Sequence, residues 1–254
     1  MEHTVLVTGA TAGIGESFTR LLASKGYNLA LVARDEARLH ERAAGLREKY
    51  GVQTFVLPAD LSTNEGCASV EEYIKAYEID VLINNAGFGI NKAFTMSDLA
   101  KEEEVLKVLV RTPMRLMHVV LPGMKERNSG TVINVSSVAS FIAGGAYSAS
   151  KAYLTVLSES LHTEMSATNI KVSALCPGFT RTEFHQRGRM KMAGLPEFMW
   201  LNSDRLVAQS WKDAQSGKAV SIPGWQYKLL VGFISIVPRP FVRKVGMNLR
   251  VKQR

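Results

Sequence analysis

Residues 3–15 read HTVLVTGATAGIG: an apolar run rich in valine, glycines at positions 9, 13 and 15, then the start of an amphipathic stretch. Such a run is a strand, and the spacing after it is that of a helix, so the glycines form the turn between them. Glycine permits a tight turn and lets a ligand reach the backbone, while the first turn of a helix offers unpaired N–H groups and positive potential to a pyrophosphate. No Lys-Ser or Lys-Thr pair follows the glycines, which argues against a loop that hydrolyses ATP or GTP.

The same strand-then-helix alternation continues to the end of the chain. Strand candidates are residues 3–10, 27–34, 52–60, 79–87, 130–137, 170–178 and 218–224, mostly Val, Ile and Leu with little polar alternation. That is the signature of strands covered on both faces. Amphipathic segments lie between them at Gly15–Lys25, Asp35–Tyr50, Thr63–Tyr77, Asp98–Lys125 and Tyr147–Ala167. Parallel neighbours need crossover connections, so this order predicts an α/β fold with one doubly wound parallel sheet and helices on both faces. Ligands of such sheets bind beyond the carboxyl ends of the strands. Small, polar and glycine residues gather at those ends: TGATAGIG, AR, AD, NNAG, NVSS and CPGFTRT.

A chain of 254 residues, 46% of them apolar, suits a single large domain. It contains no apolar run of 18 residues, and its opening MEHTVLVTGA lacks the basic start and long apolar stretch of a signal peptide. The expectation is a cytoplasmic protein. Cys67 and Cys176 show no metal-ligand spacing, so no metal is expected, and Cys176 reads as a buried thiol. Residues 1–180 carry 17 Lys/Arg against 19 Asp/Glu, whereas residues 181–254 carry 14 against 4. The basic last quarter suits a phosphorylated substrate, an anionic membrane, nucleic acid or a merely solvated face. No recognition motif or aromatic–basic interleaving supports nucleic acid, and none is expected.

Two further stretches carry chemistry. At the end of the second strand, LALVARDEARL places Arg34 and then Asp35 about twenty residues beyond the glycines. An acid there accepts from a ribose 2′-hydroxyl, and an arginine pairs with a 2′-phosphate. We favour Arg34 as the phosphate reader, hence NADP(H) with NAD(H) still possible; in the competing reading Arg34 is solvated and Asp35 caps the next helix. In AYSASKAYL, residues 146–154, Tyr147 and Lys151 are four apart. On a helix they share one face about 6 Å apart along the axis. A tyrosine acting near neutrality needs its pKa lowered by roughly 2–3, about 3–4 kcal/mol. A lysine cation about 4 Å away supplies about 4 kcal/mol at an effective dielectric near 20.

Taken together, TGATAGIG, NNAG (84–87), NVSS (134–137), YSASK (147–151) and PGFTRT (177–182) resemble the short-chain dehydrogenase/reductase family, closely over residues 4–182. The resemblance implies a Rossmann-like NAD(P)-binding domain over residues 1–224, with a substrate lid at about 183–214 and a basic extension at 225–254. It assigns Gly9, Thr11, Gly13, Ile14 and Gly15 to the pyrophosphate, and Asp60 and Leu61 to the adenine. Asn85, Ala86 and Gly87 go to the cofactor's ribose side, and Pro177, Gly178, Thr180 and Thr182 to the nicotinamide carboxamide. Tyr147 becomes the acid–base, Lys151 its tuner and a binder of the nicotinamide ribose, and Ser137 a donor to the substrate oxygen. The implied activity moves hydride between nicotinamide and a carbonyl or alcohol, in a homodimer or homotetramer.

Two departures from the family pattern stand out. Leu109 occupies the place of an asparagine that in the family holds a water for proton relay. The alternative function is therefore a cofactor-binding sensor or scaffold with weak catalysis. Ser137 and Tyr147 are ten positions apart, about three fewer than is common in the family. That spacing opens a wall for a bulky apolar substrate and leaves Ser136 competing with Ser137. In 183–200, Met190, Met192, Phe198, Met199 and Trp200 offer an adaptable apolar wall, and His185 is either a substrate ligand or a surface residue. The extension from 225 lies on a membrane surface, packs at an interface or covers the cleft.

Overall fold

The computed structural model describes residues 3–184 and 195–243. His185, Met190 and Met192 lie outside the described residues. Strands β1 (Thr4–Thr8), β2 (Asn28–Ala33), β3 (Thr54–Pro58), β4 (Val81–Asn84), β5 (Gly130–Val135), β6 (Ile170–Leu175) and β7 (Val220–Ser221) form one sheet in the order β3-β2-β1-β4-β5-β6-β7. Every pairing is parallel. Helices α1 (Gly13–Ala23), α2 (Glu36–Tyr50) and α3 (Asn64–Ala76) serve the first crossovers. After β4 come α4 (Leu99–Leu106), a π-helical turn (Lys107–Arg111) and α5 (Thr112–Arg127), then α6 (Ala146–Glu164), α7 (Ser203–Gln215) and α8 (Trp225–Ile236).

Successive side chains of a strand point to opposite faces, and both faces are covered. Val5, Val7, Leu29, Leu31 and Ile83 pack with Phe18 and Leu22 of α1, Leu39 of α2 and Leu206 of α7. Leu6, Val32, Leu82 and Val132 pack on the other face with Val70 of α3, Leu116 and Val120 of α5 and Leu154 of α6. Each such side chain contributes about 1.5–3 kcal/mol when fully buried. Edge strand β3 departs from the expectation of two covered faces. Phe55 is exposed there, because one flank of an edge strand has no neighbour, and its ring lies against Tyr73 and Tyr77.

Side chains cap α2, α3, α4 and α7: Asp35, Thr63, Asp98 and Asn202 each accept from a first-turn N–H. Helix α1 follows Ala12 and has no side-chain cap, so its first N–H groups stay available at the sheet's carboxyl edge. The segment 98–125, expected as one helix, is interrupted by the π turn, which holds Leu109 at its centre. No helix among the described residues is long and apolar enough to cross a membrane.

At the far edge, Asp213 of α7 holds β7. Its carboxylate, 3% exposed, accepts from Ser221 Oγ at 2.7 Å, Lys218 Nζ at 2.6 Å and Gln209 Nε2 at 3.0 Å. Burial opposes its charge, but the hydrogen bonds from Lys218, Ser221 and Gln209 hold its pKa below the usual carboxylate range. Asp213→Asn is therefore expected to cost roughly 1–3 kcal/mol in urea unfolding at pH 7. Because the folded pKa is depressed, the stabilisation is whole above the unfolded pKa of about 3.9 and disappears as pH falls through the folded value. Wild type and variant should converge there.

Candidate functional site

The strand order reverses between β1 and β4, the switch point where parallel sheets open a crevice. Thr8, at the end of β1, joins the two sides: its Oγ1 accepts from the backbone N–H of Asn85 at 2.9 Å and of Ala86 at 3.0 Å. The Asn85 amide donates in turn to the carbonyls of Thr8 at 2.9 Å and Gly9 at 3.1 Å. Asn85 therefore braces the glycine turn with its side chain. Gly9 and Gly13 have positive φ, +66° and +58°, a region that disfavours side chains. A Cβ on Gly15 would collide with the Gly9 carbonyl and the Asn85 amide. Thr11 is buried and Ile14 packs on the core.

Around this turn stand the other predicted residues. Arg34 is exposed at the end of β2, while Asp35 is committed to capping α2 through Arg38 N at 3.0 Å. Asp60 accepts from Ser62 N and Ser62 Oγ. Burial works against its charge, yet these bonds and the neighbouring Arg34 keep its pKa low. Buried Leu61 is tied to the π-turn region by Thr112 Oγ1, which donates to its carbonyl at 2.9 Å. Thr182 packs against the backbone of Gly13, bringing the segment after β6 onto the glycine turn. Pro177 accepts from Val138 N, Thr180 Oγ1 donates to the Gly178 carbonyl, and the Tyr227 ring of α8 lies flat against Gly178.

Tyr147 sits in the first turn of α6 and Lys151 in the second. The Ser137 hydroxyl, which accepts from Ala139 N at 3.1 Å, lies close enough to the Tyr147 phenol to lower its pKa. Ser136 faces the other way: it is buried and donates to the Lys151 carbonyl at 2.8 Å. The geometry thus brings Ser137, and not Ser136, to Tyr147. Lys151 is 5% exposed, donates to the Val135 carbonyl at 2.6 Å and lies 5.7 Å from the centre of the Tyr147 ring.

The electrostatics of this pair differ from the expectation. Burial pushes the Tyr147 phenol up to about 12 against a lowering by nearby Ser137, and burial brings Lys151 down to about 8. The predicted depression of the tyrosine by the lysine is absent. Helical spacing sets both on one face, but Lys151 Nζ is directed to a backbone carbonyl, and the loss of water outweighs the mutual effect.

Leu109 is 1% exposed and meets Gly87 beside Lys151. Next to it lies a cavity lined by Thr8, Asn84, Leu109, Thr112, Val135 and Lys151, among others, with a volume of about 10 Å³. That is about the space needed by one water. Asn84 donates to Asn134 Oδ1 at 2.9 Å, but its own buried Oδ1 has no partner.

The family model for short chain dehydrogenases matches residues 3–193. The chain belongs to that family. It is 33% identical over 186 residues to the very-long-chain 3-oxoacyl-CoA reductase of Anas platyrhynchos, covering 70% of this chain and 60% of the relative. It is 34% identical over 183 residues to the inactive hydroxysteroid dehydrogenase-like protein 1 of Homo sapiens, covering 70% and 56%. The chain spans little more than half the length of these curated relatives. A solved short-chain dehydrogenase from Sphingobium yanoikuyae in complex with NADPH superimposes with a TM-score of 0.84 at 32% identity, over 93% of this chain and 96% of that one.

The fold of this short-chain dehydrogenase adds residues to the site that spacing did not single out. Phe88 and Ile90 join Val105, Val108 and Leu109 beside Tyr147, and the Phe184 ring stands 6.0 Å from the Tyr147 ring. Phe88 and Ile90 directly follow NNAG, and that proximity was the available signal. Of the expected lid wall, Trp200 packs on Phe179 and Arg181, Met199 accepts from the Tyr227 hydroxyl through its carbonyl, and Phe198 points to solvent. Helix α7 buries Leu206 and Val207 in the core.

The lowered Lys151 pKa predicts a pH effect on stability. Between about pH 8 and the unfolded value of about 10.4 the unfolded chain holds a proton that the folded chain lacks, so stability rises with pH in that window. Wild type should gain on the order of 1–3 kcal/mol relative to Lys151→Met across it, measured by urea unfolding of ligand-free protein.

Proposed function

We propose that this short-chain dehydrogenase is an NADP(H)-dependent carbonyl reductase for a bulky apolar ketone, with Tyr147 as the proton donor. The observation that carries this reading is the Ser137–Tyr147–Lys151 group, with Phe184 beside the Tyr147 ring and Phe88 and Ile90 packed with Tyr147 on one apolar cluster. The cradle fits a dinucleotide: two glycines of positive φ, a third with no space for a side chain, and a helix N-terminus without a side-chain cap. Gly9, Thr11, Gly13, Ile14 and Gly15 would hold its pyrophosphate, and Asp60 and Leu61 its adenine end. Asn85, Ala86, Gly87, Tyr147 and Lys151 would hold the ribose side, and Pro177, Gly178, Thr180 and Thr182 the carboxamide. Arg34, exposed at the end of β2 while Asp35 caps α2, would meet the 2′-phosphate. When bound, NADP(H) supplies or takes up the hydride.

The residues of the chain do the rest. Ser137 hydrogen-bonds the substrate oxygen, and Tyr147 gives its phenolic proton to that oxygen as negative charge develops on it. The phenol stays protonated at neutral pH and so has a proton to give. Lys151, whose pKa is brought down to about 8, is largely protonated at neutral pH yet gives up its proton more readily than an ordinary lysine, and can return one to Tyr147. The reductase among the relatives, named for a 3-oxoacyl-CoA, supports a carbonyl carried on a long apolar group. Exposed Leu106, Met114, Tyr153 and Val156 support association through α4, α5 and α6. We take residues 183–202 as the lid, since 203–215 belong to the core, and place the protein in the cytoplasm.

A second reading is a cofactor-binding sensor or scaffold. Buried Leu109 against Lys151 favours it, as does a relative described as inactive.

Titration with NADPH and NADH tests the first reading. NADPH should bind more tightly, and Arg34→Ala should weaken NADPH by about 10–100-fold while leaving NADH nearly unchanged, as loss of charge-assisted hydrogen bonds implies. Tyr147→Phe should lower ketone reduction by about 10²–10⁴-fold without loss of NADPH binding. Folded protein that binds neither cofactor overturns both readings; binding without reduction of any ketone in a broad panel selects the sensor. Leu109→Asn should raise turnover and reduce the solvent isotope effect if proton return through Lys151 limits the rate. An unchanged rate counts against Leu109 as the limit on proton return.

A further inference from the structure

Helix α8 is apolar on the face that points away from the sheet. Tyr227 and Val231 are buried beneath it, whereas Trp225, Leu229, Phe233 and Ile236 are 64–79% exposed. At 100° per residue these four fall within an arc of about 80°, opposite the buried pair. A contiguous apolar arc on a helix is ordinarily covered, and among the described residues nothing covers this one. Exposed Phe198, whose carbonyl accepts from Gln226 Nε2 at 3.0 Å, and exposed Phe241 extend the surface. Charge frames it as well. From Trp225 to Arg254 the sequence carries seven Lys/Arg and no Asp/Glu, and Lys228, Arg239 and Arg243 are exposed.

We propose that this face docks on an anionic lipid bilayer. Trp225, Leu229, Phe233 and Ile236 enter the boundary between headgroups and acyl chains, and the basic residues lie against the anionic headgroups. The charge decides between occupants. A second copy meeting this face about a twofold axis sets the exposed Lys228, Arg239 and Arg243 against like charges. An anionic bilayer satisfies the apolar arc and the positive surround together. The helix is a rigid platform for docking, because Tyr227 fixes it to the body of the protein: its hydroxyl accepts from Phe179 N at 2.9 Å and donates to the Met199 carbonyl at 2.6 Å. The docked face consequently lies beside the segment that follows β6. The proposal does not depend on the chemistry at Tyr147.

The test is co-sedimentation of the full chain with vesicles of phosphatidylcholine alone, and of phosphatidylcholine and phosphatidylglycerol in about a 2:1 ratio. Binding to the mixed vesicles should be at least about tenfold tighter and weaken in about 0.5 M NaCl. Tryptophan emission should shift to the blue on binding, and Trp225→Phe should remove the shift. Leu229→Ser with Phe233→Ser, both at exposed positions, should lower binding at least about tenfold without changing the unfolding midpoint. No binding to mixed vesicles overturns the proposal, as does binding that survives the double substitution. Self-association abolished by the double substitution, in protein that ignores vesicles, assigns the face to a second copy and also overturns it.

Discussion

The amide of Asn85 donates to the carbonyls of Thr8 and Gly9 while the Thr8 hydroxyl accepts from the chain of β4. This exchange across the switch point holds the ends of β1 and β4 in one arrangement, and the site is built outward from it. The glycine turn can be tight because its carbonyls are occupied from behind by the amide. Gly15 must then lie so close to Gly9 that no side chain fits, which leaves the backbone of the first helix turn bare. The absence of a side-chain cap on α1 follows the same logic: an anion placed there supplies what Asp35, Thr63, Asp98 and Asn202 supply to other helices.

The second constraint is the burial of Lys151. A lysine with 5% exposure, held by the Val135 carbonyl, is costly in its charged form. The apolar packing of Leu109 deepens that cost. With Tyr147 also desolvated, the pair rests as a protonated phenol beside a lysine that gives up its proton easily. A bound cation and a polar substrate oxygen alter that balance, so the resting state of the pair and its working state need not coincide.

The outer surface has its own economy. Helix α8 uses only a narrow part of its circumference to grip the segment after β6, through Tyr227 on Gly178 and Phe179. Its remaining apolar arc is too large and too contiguous to be an incidental feature of the surface. Trp225, Leu229, Phe233 and Ile236 form the surface that we propose docks on a bilayer.

The sequence alone determined the sheet and the crevice. Runs such as Val5–Val7, Leu29–Val32 and Val132–Ile133 are apolar without alternation because both faces of their strands are covered, and that is a local pattern. The glycines and the Tyr147–Lys151 spacing are equally local, since a turn and a helix turn are short-range geometry. What only the tertiary structure decided were matters of direction and depth. Ser136 turned inward and Ser137 toward Tyr147, Lys151 reached for Val135 instead of the phenol, and Asp35 was spent on a cap. Phe184 came to the tyrosine ring from the segment after β6, and Phe88 and Ile90 packed with Tyr147 on the cluster of Val105, Val108 and Leu109. Except for the Asp35 cap, whose partner Arg38 is three residues away, each depends on partners farther along the chain and on the water they exclude. Desolvation is a property of the packed assembly, which the order of residues does not display.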